Sequence, residues 1–172
     1  MNRLSPYPFI RRLLSPFYIF VCAIILYIPV DAQERPPKPI IVRVSTLQHL
    51  SFGSFIQAGN FGTVTVTHQQ MRTATGSIIL PNTSSIVTAA LFEVDAIPGT
   101  LITILNGPDS PLSGNNGGTV MLTPGESSTG SPFIVTSEST NVFIGGTLTV
   151  GPLSANPAGA YNGTFQVTFI QQ

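Results

Sequence analysis

The side chains able to do chemistry are few. His49 and His68 are the two histidines of a 172-residue chain, and Gln48 and Gln69 sit beside them. A zinc or catalytic site would need further imidazoles or carboxylates at a matching spacing, and the chain scarcely has them. Both histidines therefore read as solvated side chains at strand ends. The serine-rich string GESSTG, Gly125 to Gly130, lacks the GxSxG spacing and the strand–turn–helix context of a nucleophile elbow, so it reads as a loop. Glu93 and Asp95 lie two apart on the polar side of one alternating string, where both carboxylates face water and nothing separates an acid from a base. The loop from Asn106 to Gly118 offers Asp109, Asn115 and Asn116 as oxygen ligands, but one carboxylate is too few for a calcium site. Asn82-Thr83-Ser84 and Asn162-Gly163-Thr164 fit the glycosylation sequon, which matters only in a eukaryotic secretory pathway. No catalytic, cofactor-binding or metal-ligating residue is assigned, no cofactor is expected, and the chain does not read as an enzyme.

The N-terminus carries the clearest message. Arg3, Arg11 and Arg12 precede an apolar run from Phe17 to Val30, the charge-then-apolar order of an export signal. A membrane-spanning helix wants about 20 apolar residues, and this shorter run is followed by Asp31 and Glu34 with no basic stop-transfer cluster. Cleavage is expected between Ala32 and Gln33, with Val30 and Ala32 as the small residues before the cut; an uncleaved anchor is the alternative. The single cysteine, Cys22, lies within the apolar run and leaves with it. Lipidation there fits poorly, because the run continues past it. The mature chain would then have no disulfide, thiol nucleophile or zinc-thiolate site. The expected organisation is a signal peptide over 1–32, a Pro-rich leader QERPPKP over 33–39 and one domain over 40–172, located outside the cytoplasm with no stable membrane span after cleavage.

The rest of the chain must position whatever function remains. Charge is sparse, with no basic patch to neutralise phosphates or meet an anionic membrane, so nucleic acid is not an expected partner. From Ile40 onward apolar and polar residues alternate with period two, the mark of half-buried strands. Ile40, Val42 and Val44 share a face, as do Val64 and Val66, and Ala90, Phe92 and Val94. Tyr161, Phe165, Val167 and Phe169 form the last such face, set against Asn162, Thr164, Gln166 and Thr168. Turn residues punctuate the chain at Asn60 near Gly62, Pro81-Asn82, Pro98-Gly99, Asn115 to Gly118, Pro124-Gly125 and Pro157 near Gly159. Gly145-Gly146 within VFIGGTLTV reads as a bulge or sharp bend in a strand. Eight or more short strands without a helical stripe predict an all-β fold, a single immunoglobulin-like β-sandwich, with a barrel as the alternative.

The strings LSFGSF (50–55), GTVTVT (62–67), RTATGSIIL (72–80), GGTLTVG (145–151) and GAYNGTFQVTF (159–169) together resemble a family of exported bacterial β-sandwich domains of unknown function, found in Bacteroidetes and some proteobacteria. The resemblance spans nearly the whole mature chain and implies a surface-exposed domain, similar in pattern to pilin subunits. The ending Phe169-Ile170-Gln171-Gln172 departs from the family, which more often closes on an Asn-Tyr pair. Two functions follow as expectations: a structural or adhesive surface subunit that self-associates or meets other surface proteins through strand edges, and a periplasmic or extracellular binding module for a small ligand or glycan. The strand of Ile40, Val42 and Val44 could pair within its own domain or complete the sheet of a neighbour.

Overall fold

The computed structural model describes residues 38–82 and 85–172. The expected export segment, its cleavage point at Ala32 and Gln33, Cys22 and most of the Pro-rich leader lie outside the described residues. Eleven strands follow one another: β1 (Ile41–Val44), β2 (Ile56–Val66), β3 (Arg72–Ile79), β4 (Ala90–Asp95), β5 (Leu101–Asn106), β6 (Ser110–Gly114), β7 (Thr119–Ser127), β8 (Phe133–Ile134), β9 (Ser139–Val150), β10 (Tyr161–Asn162) and β11 (Val167–Gln171). No helix occurs among the described residues. The expected all-β sandwich is the fold.

Two antiparallel sheets build it. The larger has eight strands, ordered β1-β4-β9-β7-β6-β10, with β2 also on β9 and β3 on β2; the smaller is β11-β5-β8. Strand β9 is the organiser. Its first half, Ser139–Ile144, pairs with β4, and its second half, Gly146–Val150, pairs with β2 along that same edge. The exchange of partners falls at Gly145-Gly146, and β7 opposite shifts register between Pro124 and Ser127. Gly145 is required there by close approach: a β-carbon would run into the backbone carbonyl of Val66 and the backbone of Thr67. The double glycine thus lets two strands meet end to end against one.

The alternation expected from sequence is present at β2 and β4. Val64 and Val66 are buried, as are Ala90, Phe92 and Val94, while Leu91, Glu93 and Asp95 face outward, partly accessible. On the outer face of the large sheet, register brings threonines into two rows, Thr75–Thr63–Thr149 and Thr73–Thr65–Thr147–Thr123, crossing β3, β2, β9 and, in the second row, β7. Thr63 and Thr75 share a hydrogen bond of 2.7 Å, and Thr65 and Thr147 one of 2.9 Å. These are the cross-strand hydroxyl pairs that stabilise an uncharged sheet face.

Four expectations need correction. Not all strands are short: β2 has 11 residues and β9 has 12. Asn60 and Pro124-Gly125 do not mark turns, because both lie within long strands, where a register shift absorbs the irregular residues. Val44 is on the same face as Ile40 and Val42, opposite inward-facing Phe92, but is not half-buried as they are; it is 65% exposed, at the margin of an open stretch of the sheet. The terminal face from Tyr161 to Phe169 belongs to two strands. Tyr161 pairs with Gly114 in the large sheet, and Val167 pairs with Asn106 in the small one. The four apolar side chains still alternate inward, each partly buried. Between them, Gly163 passes so close to β6 that a β-carbon would stand 2.6 Å from Leu112 and 2.9 Å from the Pro111 carbonyl, and from there the chain crosses to the other sheet.

The crossing divides the interior. One cluster, with Val94, Ile102, Ile104, Phe133, Val142 and Ile144, is closed on both sides, by the large sheet and by the three-stranded sheet. The other gathers Val64, Val66, Leu112, Val120, Leu122, Leu148 and Val150 from the inner face of the large sheet. Among the described residues no second sheet covers it. Half-buried Leu50, Phe55 and Phe165 from irregular segments, with Tyr161 of β10, pack against it instead.

Candidate functional site

That uncovered half is a trough enclosing about 1180 Å³. Its floor is the inner face of β6, β7 and β9, with Leu122, Leu148 and Val150; one wall is the segment 48–57 and the other runs through 157–165. Exposed apolar side chains stand at its margin, Ile86 at 76% and Leu153 at 54%. Neither wall is a continuous strand: Ser51 bridges to Thr88, Gly53 has a φ of 65°, Ile56 and Gln57 pair with β3, and Tyr161 and Asn162 pair with β6, with short stretches between them that pair with no strand among the described residues. Among the described residues, the N–H groups of Phe52, Ser54 and Phe55 on one side, and of Gly163, Thr164 and Phe165 on the other, find no backbone acceptor. A backbone left unpaired beside apolar surface is a template for another strand.

Particular side chains hold the walls in place. Arg72, at the start of β3, turns inward, and its Nη1 donates to the carbonyls of Phe52 and Ser54, both at 2.9 Å. This guanidinium acts as a clamp on the first wall. At the opposite end Asn156 is buried to 6% exposure; its Nδ2 donates to the Thr119 carbonyl at 2.6 Å, and its Oδ1 accepts from the Gly151 amide at 2.5 Å. Tyr161 donates its hydroxyl to the Pro157 carbonyl at 2.7 Å, bracing the second wall. Among the described residues one buried side-chain polar atom along the trough is unsatisfied. Gln57, on β2, lines the trough, and its Nε2 is buried with no hydrogen-bond partner among the described residues.

The residues considered from sequence have other roles. His49 is exposed beside the trough and His68 is half-buried in the turn between β2 and β3. Among the described residues no group of three or more His, Cys, Asp or Glu is placed to hold a metal ion. Asp109 and Asn115 lie at opposite ends of β6, about 20 Å apart for an extended run of six residue steps. Asn115 accepts from the Ala160 amide and Asn116 donates to the Ala158 carbonyl, so both amides anchor the 157–160 wall. Glu93 and Asp95 flank Arg43 of β1, which bonds to Asp95 and lies 3.8 Å from Glu93, fastening β1 to β4. In GESSTG, Ser127 caps the turn through the Gly130 carbonyl and Ser128 accepts from the Phe143 amide. Asn162 is exposed on β10; the Asn82 sequon runs into residues outside those described.

Sequence reading missed the trough together with Arg72, Gln57 and Asn156. An Arg in an otherwise uncharged Thr-rich strand was the available signal for the clamp. For Asn156 there was none, because its partners, Thr119 at the start of β7 and Gly151 just after β9, reach it by a tertiary approach that no local pattern encodes.

A family model described as "Domain of unknown function (DUF4402)" matches residues 42–170. The chain belongs to that family. The matched stretch runs from within β1 to within β11, so the trough and both sheets are features of a DUF4402 domain. No curated protein and no solved structure matches the chain.

Proposed function

We propose that this DUF4402 domain is an exported, non-enzymatic structural or adhesive subunit of the cell surface, pilin-like in its mode of assembly, which accepts an extended strand from a second copy of itself into the trough. The observation that carries the reading is that the N–H groups of Phe52, Ser54 and Phe55 and of Gly163, Thr164 and Phe165, all lining one apolar trough, find no backbone acceptor among the described residues. Size supports a strand over a small molecule or glycan: about 1180 Å³ exceeds the roughly 300–1,000 Å³ of ordinary small-ligand pockets.

The donated strand in this reading is β1. Among the described residues it pairs with one strand alone, β4, over four residue pairs, and leaves Ile41 and Val44 more than half exposed; exchange would trade that pairing, the Arg43 ion pairs and the packing of Val42 for equivalent contacts in a second copy. Its alternating apolar residues suit an apolar floor on one side and solvent on the other. A chain that gives one strand and receives another makes head-to-tail contacts that need not close.

The test uses the mature protein, expected to start at Gln33, and a labelled synthetic peptide of residues 38–47, KPIIVRVSTL. Light scattering should show concentration-dependent oligomers, and the peptide should bind and cap them. Strictly monomeric protein at high concentration that ignores the peptide would overturn the reading.

A further inference from the structure

We infer that Gln57 is the polar recognition group of the trough, and that the trough's occupant must present a hydrogen-bond acceptor to it; this rests on the strand-accepting reading above. Three facts converge. Gln57 Nε2 is a buried amide donor without a partner among the described residues. The side chain lines the same trough as the N–H groups of Phe52, Ser54, Phe55 and 163–165, which find no backbone acceptor among the described residues. The neighbouring positions Ile78, opposite it on β3, and Val64, further along β2, are buried and apolar and offer no acceptor.

The chemistry of an orphaned amide explains why a polar residue stands there. A buried N–H with no partner is costly, and the cost is recovered only when an acceptor arrives. An extended peptide carries a carbonyl at every residue, so it satisfies the amide in passing, whereas a purely hydrocarbon ligand leaves it orphaned. Gln57 therefore discriminates among apolar occupants: it leaves the empty trough with an unmet demand that a strand meets and an aliphatic chain does not. The only other buried side-chain polar atom without a partner among the described residues, Thr140 Oγ1, is not part of the trough lining.

The experiment compares the labelled peptide KPIIVRVSTL on wild-type protein and on Gln57→Met, which keeps length and removes the donor. Loss of one hydrogen bond, taken as about 1.4 kcal/mol, corresponds to about tenfold weaker binding. The melting temperature of the empty variant should be equal to or higher than that of wild type, which separates recognition from a merely structural role. Thr65→Val, on the outer face of the same strand, should bind the peptide as wild type does. Independently of any variant, the Gln57 side-chain amide resonances should shift and exchange more slowly with solvent when peptide is added. Equal affinity of Gln57→Met and wild type, or amide resonances that ignore the peptide, would overturn the assignment of Gln57 while leaving strand acceptance intact. Failure of wild-type protein to bind the peptide would overturn both.

Discussion

Replacing Asn156 by alanine removes the group that ties the 152–158 loop to the end of the large sheet. The side chain makes two bonds across the chain: Nδ2 to the Thr119 carbonyl at 2.6 Å and Oδ1 from the Gly151 amide at 2.5 Å. A third, Nδ2 to the Ala155 carbonyl at 3.0 Å, is local and adds little. Alanine leaves the Thr119 and Gly151 groups unsatisfied, at about 1–3 kcal/mol each when water cannot reach them. The open trough beside them admits some water, which puts the total near the lower end, about 2–3 kcal/mol. For a domain of this size each kcal/mol lowers the melting temperature by roughly 3–5 °C, so a fall of about 10 °C is expected. Asn156→Asp should be no better, because its second carboxylate oxygen would face the Thr119 carbonyl where the amide now donates. Asn141→Ala, at an exposed position of β9 whose side chain has no hydrogen bond among the described residues, serves as the control and should stay within about 0.5 kcal/mol. Denaturant and thermal unfolding of the three variants decide the matter. Should Asn156→Ala and Asn141→Ala unfold together, the loop is not held by this side chain and the reasoning fails.

Two further outcomes follow from packing. Phe165→Ala should cost about 2–3 kcal/mol in a chemical melt, less than for a fully enclosed phenylalanine because Phe165 is only half-buried at the trough wall and has Phe92 edge-on at 6.5 Å; Thr164→Ala and Gln166→Ala should be near neutral. Equal losses for all three would mean that the inward alternation through the crossing is wrong. Gly145→Ala should cost about 3 kcal/mol or more, since the new methyl would strike backbone at Val66, Thr67 and His68 that two paired strands hold in place, and a variant as stable as wild type would remove the reason given for the double glycine.

How much was legible in the sequence depends on the distance over which each residue acts. Period-two alternation gave the strands, because a half-buried strand writes its faces into neighbouring residues; Val64 and Val66, or Ala90, Phe92 and Val94, needed no knowledge of their partners. Gly145-Gly146 was also readable, because steric permissiveness is a local property. Strand ends were less so: Asn60 and Pro124-Gly125 look like turns, yet register shifts carry both inside long strands, a choice made by the sheet and not by the dipeptide. The trough is hardest of all, since it is defined by backbone that does not pair. Thr164 and Phe165 continue the alternation of Tyr161 and Val167 without a break, so the letters read as one strand. Only the commitment of Tyr161 to β6 and Val167 to β5, in different sheets, strips the residues between them of partners. The same four-residue gap that ends one sheet and begins the other leaves a wall of free donors over Leu122, Leu148 and Val150, and an intact terminal strand on either sheet would have had no such wall. A DUF4402 domain that closed this gap within its own chain would lose the means to recognise a strand. The function proposed here therefore rests on the sandwich being incomplete, and filling the trough covalently, by extending the chain beyond Gln172 with a linker and the Ile40–Val44 strand, should give a more stable protein that no longer assembles.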